Sequence, residues 1–254
     1  MRETEIDGAT PKRLMWRVAE IGKIIDETPR VKSLILNVPG WPGHRPGQHV
    51  DVRLTAEDGY QAQRSYSVAS ESETAHVMLT VERIEGGEVS SYLASDEQPG
   101  DKFELRGPIG SYCVWTVATG GPLLLVAGGS GIAPLMAMLR HRAAAKSTIP
   151  AALLYSSRTF EDIIYRQTLD WLVARNDGLR VMHTLTRRQP AAWTGGARRI
   201  DRSMLASIGF APKARPKIFI CGPTGLVESA ARSLLDLGHE HNLIKTERFR
   251  PRGV

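Results

Sequence analysis

The chain has 254 residues, of which 42% are hydrophobic and 24% charged, a composition typical of a globular protein with one or two domains. No apolar run is long enough to span a membrane, the N-terminus has no apolar signal core, and Cys113 and Cys221 match no metal or iron–sulfur spacing, so we expect a cytoplasmic protein without a metal site. The net charge of +6 fits anionic ligands, an acidic partner or a solvated basic surface, and the lack of a basic helix predicts no nucleic-acid binding.

The first part of the chain predicts a series of short strands. The segments are rich in β-branched or alternating apolar residues and are separated by turn signals such as PGWPGHRPG and EQPGD. Such closely spaced strands predict an antiparallel barrel or sandwich, interrupted by one short helix at GEVSSYLA. The expected strands are RLMWRVAEIGKIID, VKSLILNV, QHVDVRLT, RSYSVAS, HVMLTVERI and DKFELRGPIG.

From about Gly121 the predicted strands alternate with helices, which indicates βαβ units and a doubly wound parallel sheet. We therefore predict two domains, an antiparallel β-barrel over 1–117 and an α/β domain over 118–254. The expected strands of the second domain are PLLLVAGG, PAALLYSS, LRVMHTLT, PKIFICG and NLIKTERF. Its expected helices are GIAPLMAMLRHRAAA, EDIIYRQTLDWLVARN, a short one near Ser203, and GLVESAARSLLDLG.

The glycine-rich turn VAGGSGIAP connects the first strand and the first helix of the α/β domain. Gly129 and Gly131 allow a tight turn and a close approach of the backbone to a ligand, and the following helix offers free N–H groups to a phosphate. Proline replaces the last glycine of the G-x-G-x-x-G pattern, so a tight turn without any ligand is an equal alternative.

Arginines follow two neighbouring strands of the same domain. Arg158 follows the second strand, and Arg187 and Arg188 follow the third, at the strand ends where doubly wound folds bind ligands. Arginine at this edge can bind a 2′-phosphate through paired N–H groups, or can simply be a solvated surface residue. Cys221 ends the fourth strand and is expected to point its thiol into the cleft, with packing as the alternative role.

The segment RSYS combines charge with an aromatic ring on one strand. Strand alternation places Arg64 and Tyr66 on one face, and Ser65 and Ser67 on the other. Arg64 and Tyr66 suit a phosphate and a flat ring, and the later glycine pair before Ser90 predicts a second phosphate cradle. These features point to a flavin dinucleotide, although an ordinary cross-strand Arg–Tyr contact would also explain the tetrapeptide.

Taken in order, the motifs RSYS, GGEVS, GGSGIAP, YSSRT, FICGP and ERF resemble those of the ferredoxin–NADP reductase family of flavoproteins. The resemblance covers nearly the whole chain, and it implies an FAD-binding antiparallel barrel followed by an NADP-binding domain whose C-terminal segment returns to the flavin. It also implies that Arg64 holds the pyrophosphate, that Tyr66 lies against the isoalloxazine, and that Ser67 acts beside flavin N5. The further expected cofactor-binding residues are Ser65, Val81, Arg83, Gly87, Val89, Ser90, Gly129, Ser130, Gly131, Gly222 and Pro223.

In the second domain the resemblance implies that Arg158 and Arg187 read the 2′-phosphate of NADPH. It places Cys221 beside nicotinamide C4, so the expected catalytic residues are Ser67, Cys221 and Glu247. Phe249 would cover the other face of the flavin. The five residues after it, RPRGV, would contact either the FAD adenine or a neighbouring subunit.

The resemblance implies a monomer or weak dimer in which NADPH, or alternatively NADH, reduces FAD and the electrons pass to an acidic protein such as ferredoxin or flavodoxin. With two cysteines, the chain is expected to hold no iron–sulfur domain, so the acceptor would be separate. A free-flavin reductase and a reductase component of a monooxygenase are enzyme alternatives. A flavin-binding, redox-sensing regulatory subunit is the alternative without turnover.

Overall fold

The structure, a computed structural model, describes residues 14–95 and 97–249. The first of its two sheets is antiparallel and six-stranded, with the spatial order β4-β3-β6-β1-β2-β5. A bridge between Val68 and Leu79 joins the two outer strands at one end, so the sheet curls into a barrel. The elements are β1 (Trp16–Thr28), β2 (Val31–Asn37), β3 (His49–Thr55), β4 (Gln61–Ser67), β5 (Val77–Glu82), α1 (Glu88–Ser95) and β6 (Lys102–Ile109).

The strands of the barrel follow from the alternation of their side chains. Leu34 and Leu36 on β2, and Leu79 and Val81 on β5, are fully buried in one apolar core. Burying each such side chain stabilises the fold by roughly 1.5–3 kcal/mol. Helix α1 contributes Val89 and other apolar residues to the same core, so the N-terminus of α1 has a fixed position beside the barrel.

The second sheet is parallel and five-stranded, with the order β11-β10-β7-β8-β9. The predicted barrel followed by a doubly wound parallel sheet is therefore confirmed. The elements are β7 (Leu123–Gly128), α2 (Ile132–Ala144), β8 (Ala151–Ser157), α3 (Arg166–Ala174), β9 (Leu179–Leu185), α4 (Arg202–Ile208), β10 (Lys217–Pro223), α5 (Thr224–Asp236) and β11 (Ile244–Phe249).

The central strand β7 is buried on both faces, which explains its continuous apolar sequence. Leu123 and Leu125 pack into the core on one side of the sheet, whereas Leu124 and Val126 pack into the core on the other. The carboxyl end of β7 is thereby fixed at the edge of the sheet where the glycine turn begins.

Helix α3 begins at Arg166, so the expected start at Glu161 is wrong. The carboxylate of Asp162 accepts hydrogen bonds from the backbone N–H and the hydroxyl of Thr159, which holds this stretch in a turn. Tyr165 then adopts a left-handed backbone with φ of 60°, and its N–H donates to Glu27 of β1 at 3.2 Å. These contacts replace the first helical turns that the apolar periodicity predicts.

The two domains contact each other through β5, the loop after β4, and α2. Arg140 on α2 donates to the backbone oxygen of Ala69 at 2.6 Å. The Nδ1 atom of the neighbouring His141 lies 2.5 Å from the carboxylate oxygen Oε1 of Glu73. Among the helices in the described ranges, none combines the length and the apolar character that crossing a membrane requires.

Candidate functional site

Strand β4 lies at the edge of the barrel sheet and carries Arg64 and Tyr66. In register, Arg64 pairs with Val52 and Tyr66 pairs with Val50, so both side chains lie on the face of the sheet that bears the core. Arg64 is exposed, and within the described chain its guanidinium donates only to the backbone oxygen of Gln63, at 2.6 Å. Tyr66 is half-buried, and this burial raises the pKa of its phenol, so the ring stays neutral. A free cation therefore lies next to a flat, neutral ring.

The serines of β4 lie on the opposite face. Ser65 donates to Asp51 at 2.6 Å, and Asp51 also pairs with Arg106 at 3.0 Å. The Ser65 hydroxyl therefore holds the outer wall of the barrel, and the cofactor-binding role expected of this residue stays a prediction. Ser67 is buried at the end of the strand, opposite His49 in the register.

The turn before α1 is the second predicted anion site. Gly86 has φ of +72°, and a Cβ on Gly87 would lie 2.5 Å from the hydroxyl oxygen of Ser90. That hydroxyl accepts from the N–H of Ile84 and donates to the backbone oxygen of Gly87, each at 3.3 Å. The Ser90 hydroxyl therefore braces the turn, and the Val89 side chain is buried in the barrel core, so the groups available to a phosphate are N–H groups of the first helical turn.

Val81 and Arg83 have different surroundings. The side chain of Val81 is fully buried in the barrel core, so only its backbone could reach a cofactor. Arg83 is exposed and lines a cleft of about 220 Å³ together with Arg30 and Lys32. Its backbone oxygen accepts a hydrogen bond from Arg30 at 3.2 Å.

These groups fit FAD. The guanidinium of Arg64 has no carboxylate partner among the described residues, and the first turn of α1 supplies further donors, so the donor set suits a pyrophosphate. The half-buried ring of Tyr66 suits the apolar face of an isoalloxazine.

The glycine turn after β7 is a 3-10 turn over Gly129–Gly131. Gly129 has φ of +53°, and its oxygen accepts a hydrogen bond from the buried hydroxyl of Tyr155 at 3.1 Å. A Cβ on Gly131 would lie 2.3 Å from the oxygen of Cys221, so only glycine fits there. The hydroxyl of Ser130 donates to Glu82 of the barrel at 2.8 Å, which brings this turn and the end of β5 together.

Cys221 lies beside Glu247 in the parallel register of β10 and β11. The thiol of Cys221 is fully buried in the core that contains Phe219, so it faces no open cleft among the described residues, and its expected place beside the nicotinamide stays a prediction. Burial raises the pKa of Cys221 well above its ordinary value, and the charge of Glu247 adds to this. Burial also raises the pKa of Glu247. The pair therefore favours its uncharged form.

The ends of β10 and β11 also lie side by side, because Pro223 pairs with Phe249. Gly222, with φ of +151°, packs against Gly128 at the start of the glycine turn, where a Cβ would lie 3.1 Å from the Gly128 nitrogen. Phe249 is half-buried, and the segment RPRGV after it lies outside the described residues.

Three residues that the sequence did not mark lie around these groups. Glu82 contacts Ser130, and Tyr155 supports Gly129. Cys113 is buried, and burial together with the nearby charge of Glu247 raises its pKa to about 12. Glu82 reaches Ser130 through the packing of the two domains, which no local pattern predicts. Tyr155 is the first residue of the motif YSSRT and reaches Gly129 from within its own domain.

The predicted arginines form a cluster at the carboxyl ends of β8 and β9. The N–H of Arg187 donates to the backbone oxygen of Arg158 at 2.9 Å, so the two loops are held together. Both side chains are exposed. Arg188 lies beside them and makes an exposed ion pair with Glu161 at 3.4 Å. The structure thus brings together the basic residues that the strand ends predict.

Two family models match the chain, the oxidoreductase FAD-binding domain over residues 28–113 and the oxidoreductase NAD-binding domain over residues 125–232. NADH-cytochrome b5 reductase 1 of Aspergillus oryzae is 30% identical, and the match covers 76% of this chain and 68% of that protein. The glycine betaine monooxygenase reductase subunit of Pseudomonas aeruginosa is 28% identical, with 90% of this chain and 63% of that protein covered. The chain thus spans about two thirds of the length of these relatives.

Among solved structures, the flavohem-like FAD/NAD binding domain of nitric oxide dioxygenase from Vibrio cholerae has the same fold. Its TM-score is 0.81 and its identity is 23%, with 92% of this chain and 99% of that chain covered. Both family models, the relatives and the geometry of the two domains indicate an FAD-binding domain followed by an NAD-binding domain. The chain therefore belongs to the ferredoxin–NADP reductase-like family of flavoprotein reductases, and it is an NAD(P)H-dependent FAD oxidoreductase.

Proposed function

We propose that this reductase takes electrons from NADPH and passes them through FAD to a separate acidic protein such as ferredoxin or flavodoxin. The observation that carries the choice of NADPH is the arginine cluster at the ends of β8 and β9. Arg158 and Arg187 are exposed there, and a hydrogen bond between their backbone groups holds the two residues side by side. Two guanidinium groups at the edge where doubly wound sheets bind nucleotides suit a 2′-phosphate.

In the barrel, Arg64 and the first turn of α1 hold the FAD pyrophosphate, and Tyr66 forms one wall of the flavin slot. Phe249 is proposed as the opposite wall. When bound, FAD would supply the redox chemistry between the nicotinamide and the acceptor. The contribution of the protein is orientation and electrostatics.

At the junction of the domains, Ser67, Cys221 and Glu247 are proposed to surround the reacting rings. Cys221 is an uncharged thiol at every ordinary pH, because burial raises its pKa, and it therefore offers a neutral wall. Burial also raises the pKa of Glu247, so Glu247 holds a proton at its carboxyl over a wider pH range than an exposed glutamate does. Ser67 offers a hydroxyl at the end of β4.

The nucleotide preference is tested with Arg158→Ala and Arg187→Ala. A hydrogen bond to a charged group is worth about 1.5–3 kcal/mol, so each change is expected to lower kcat/KM for NADPH roughly 10- to 100-fold. The value for NADH should stay within about 2-fold, because NADH lacks the phosphate. The exposed Arg199 offers a matched control, Arg199→Ala. An unchanged preference for NADPH over NADH, or a wild-type preference for NADH, would refute the assignment.

The acceptor is proposed to be acidic because the chain carries a net charge of +6. Opposite charges raise the rate of encounter, and salt screens them. The rate of reduction of a ferredoxin or flavodoxin, followed in stopped flow, should fall as ionic strength rises from about 0.01 to 0.5 M. A rate that does not change with salt contradicts an acidic partner.

A second candidate is the reductase component of a monooxygenase. The observation that favours it is the match of the Pseudomonas reductase subunit to 90% of this chain. An acceptor panel that includes isolated oxygenase components distinguishes it from the ferredoxin or flavodoxin proposal. Retention of FAD through gel filtration argues against a free-flavin reductase, and bleaching by NADPH without oxygen argues against a regulatory subunit.

A further inference from the structure

The outward face of β5 is the part of the barrel that meets the second domain. Strand alternation places Met78, Thr80 and Glu82 on this face. Thr80 shares a hydrogen bond with Tyr165 of the second domain. Glu82 accepts a hydrogen bond from Ser130, with 2.8 Å between Oε2 and Oγ. The strand that ends at the flavin domain's phosphate turn therefore contacts the glycine turn directly.

The turn around Ser130 is fixed from two sides by its own domain. The Tyr155 hydroxyl on β8 donates to the Gly129 oxygen, and the Cys221 oxygen packs against Gly131. These two contacts fix the backbone of the turn and leave the rotation of the Ser130 hydroxyl free. Glu82 supplies the contact that fixes this rotation, and it comes from the other domain.

The direction of this hydrogen bond decides what Ser130 can offer to a ligand. A serine hydroxyl has one proton to donate and two lone pairs. Because a carboxylate can only accept, the proton of Ser130 is committed to Glu82. The oxygen of Ser130 then faces any ligand as an acceptor alone, which suits an N–H donor and disfavours a second acceptor.

We propose that Glu82 is a positioning residue for nicotinamide recognition. By holding the Ser130 proton, Glu82 makes the glycine turn an acceptor for the N–H group of the nicotinamide carboxamide. This inference rests on the proposed use of a nicotinamide dinucleotide beside this turn. It assigns to the barrel domain a part in choosing the ligand of the other domain.

The test uses the FAD-loaded protein and two ligands, NADP⁺ and its 3-acetylpyridine analogue, which has a methyl ketone in place of the carboxamide and so lacks the N–H donor. Binding is measured from the perturbation of the flavin absorption spectrum. Wild-type protein should bind NADP⁺ more tightly than the analogue. In Glu82→Gln the side-chain N–H group can donate to the Ser130 oxygen and so occupy the lone pair that the carboxamide needs. This variant should weaken NADP⁺ binding about 5- to 10-fold, the value of one neutral hydrogen bond, and leave the analogue within about 2-fold.

Ser130→Ala should also lose the preference for NADP⁺ over the analogue. The double variant should bind NADP⁺ no more weakly than either single variant, because both changes remove the same interaction. Ser130→Thr, which keeps the hydroxyl, should retain the preference. Glu85→Gln is the matched control, since Glu85 is an exposed carboxylate three residues further along the chain, in the turn after β5. If Glu82→Gln does not fold, Ser130→Ala and Ser130→Thr test the same hydroxyl group without altering Glu82.

Equal weakening of both ligands by Glu82→Gln, or additive effects of Glu82→Gln and Ser130→Ala, would overturn the inference. Failure of the proposed function looks different, because wild-type protein would then hold no FAD or would not be bleached by NADPH or NADH. If the wild type binds NAD⁺ more tightly than NADP⁺, the same comparison is made with NAD⁺ and its acetylpyridine analogue.

Discussion

The hydroxyl groups of Thr80 and Tyr165 are hydrogen bonded to each other across the junction between the barrel and the parallel sheet. Tyr165 is only 1% exposed, and the guanidinium of Arg140 lies 4.9 Å from the centre of its ring. Thr80 is also hydrogen bonded to Ser33, which donates to Glu27 at 2.8 Å. A buried polar chain therefore links the two domains, and burial raises the pKa of the Tyr165 phenol so that it stays protonated.

Removing the Tyr165 hydroxyl should destabilise the protein. Tyr165→Phe leaves the buried Thr80 without one partner, so the free energy of unfolding in urea should fall by about 1–3 kcal/mol. The double variant Thr80→Val/Tyr165→Phe should lose less than the sum of the single changes, because no unsatisfied group remains at this contact. Tyr112→Phe, at a tyrosine that is 61% exposed, is the control. Additive losses would contradict a direct Thr80–Tyr165 contact.

The same tyrosine explains where prediction from sequence failed. The apolar periodicity predicts a helix from Glu161, yet the left-handed backbone of Tyr165 stops it there. The partner that holds the Tyr165 N–H is Glu27, 138 positions away in the chain, in the other domain. Local periodicity contains no information on such a contact. By contrast, strand β7 was predictable because a strand that is buried on both faces has a continuous apolar run in its own sequence.

In the candidate site, too, local features were predictable from the sequence and contacts between distant residues were not. Alternation alone correctly separates Arg64 and Tyr66 from Ser65, because the strand period is a local property. It does not reveal that the Ser65 hydroxyl is bonded to Asp51, which depends on the register of β3 and β4. Likewise, the sequence does not show that the Ser90 hydroxyl braces the turn before α1, because its hydrogen bonds to Ile84 and Gly87 depend on the shape of that turn.

Acid should destabilise the protein through His44. The ring accepts from Trp41 at Nδ1 and faces the Ser70 oxygen with Nε2, at 3.3 and 3.1 Å, so it is neutral with its proton on Nε2. Burial lowers its pKa below the ordinary value of 6.5. Below pH 6.5 the His44 ring of the unfolded chain binds a proton that the folded chain does not. The contribution of His44 to stability is therefore complete above pH 6.5 and is lost as the pH falls below it.

We therefore expect the free energy of unfolding, measured in urea between pH 7.5 and pH 5.5, to decrease towards acid. His44→Gln should lower stability at neutral pH and make the pH dependence shallower. The slope will not vanish, because burial also lowers the pKa of His49 and His183. His76→Gln, at an exposed histidine, is the control. An identical slope for wild type and His44→Gln would show that His44 is not responsible.

Arg64 should govern the affinity for FAD. Arg64→Ala removes a cation whose guanidinium, within the described chain, bonds only to its neighbour's backbone. The loss of one charge-assisted contact should weaken FAD binding roughly 10- to 100-fold. Arg64→Lys should recover part of the affinity, since lysine keeps the charge and loses the paired geometry. Dissociation constants come from the quenching of FAD fluorescence, with Arg199→Ala as the control. Wild-type affinity in Arg64→Ala would place the pyrophosphate elsewhere.

Both cysteines should resist thiol reagents in the folded protein. The thiolate is the reacting species, and burial with the nearby charge of Glu247 raises the pKa of Cys113 from 9.0 to about 12, so its thiolate fraction at pH 8 is roughly a thousandfold smaller. Cys221 is fully buried and its pKa is raised well above the ordinary value. Ellman's reagent should therefore react slowly with native protein and rapidly with both thiols in urea. Cys113→Ser and Cys221→Ser assign each phase. Rapid native labelling that disappears in Cys221→Ser would mean that this thiol reaches an open cleft after all.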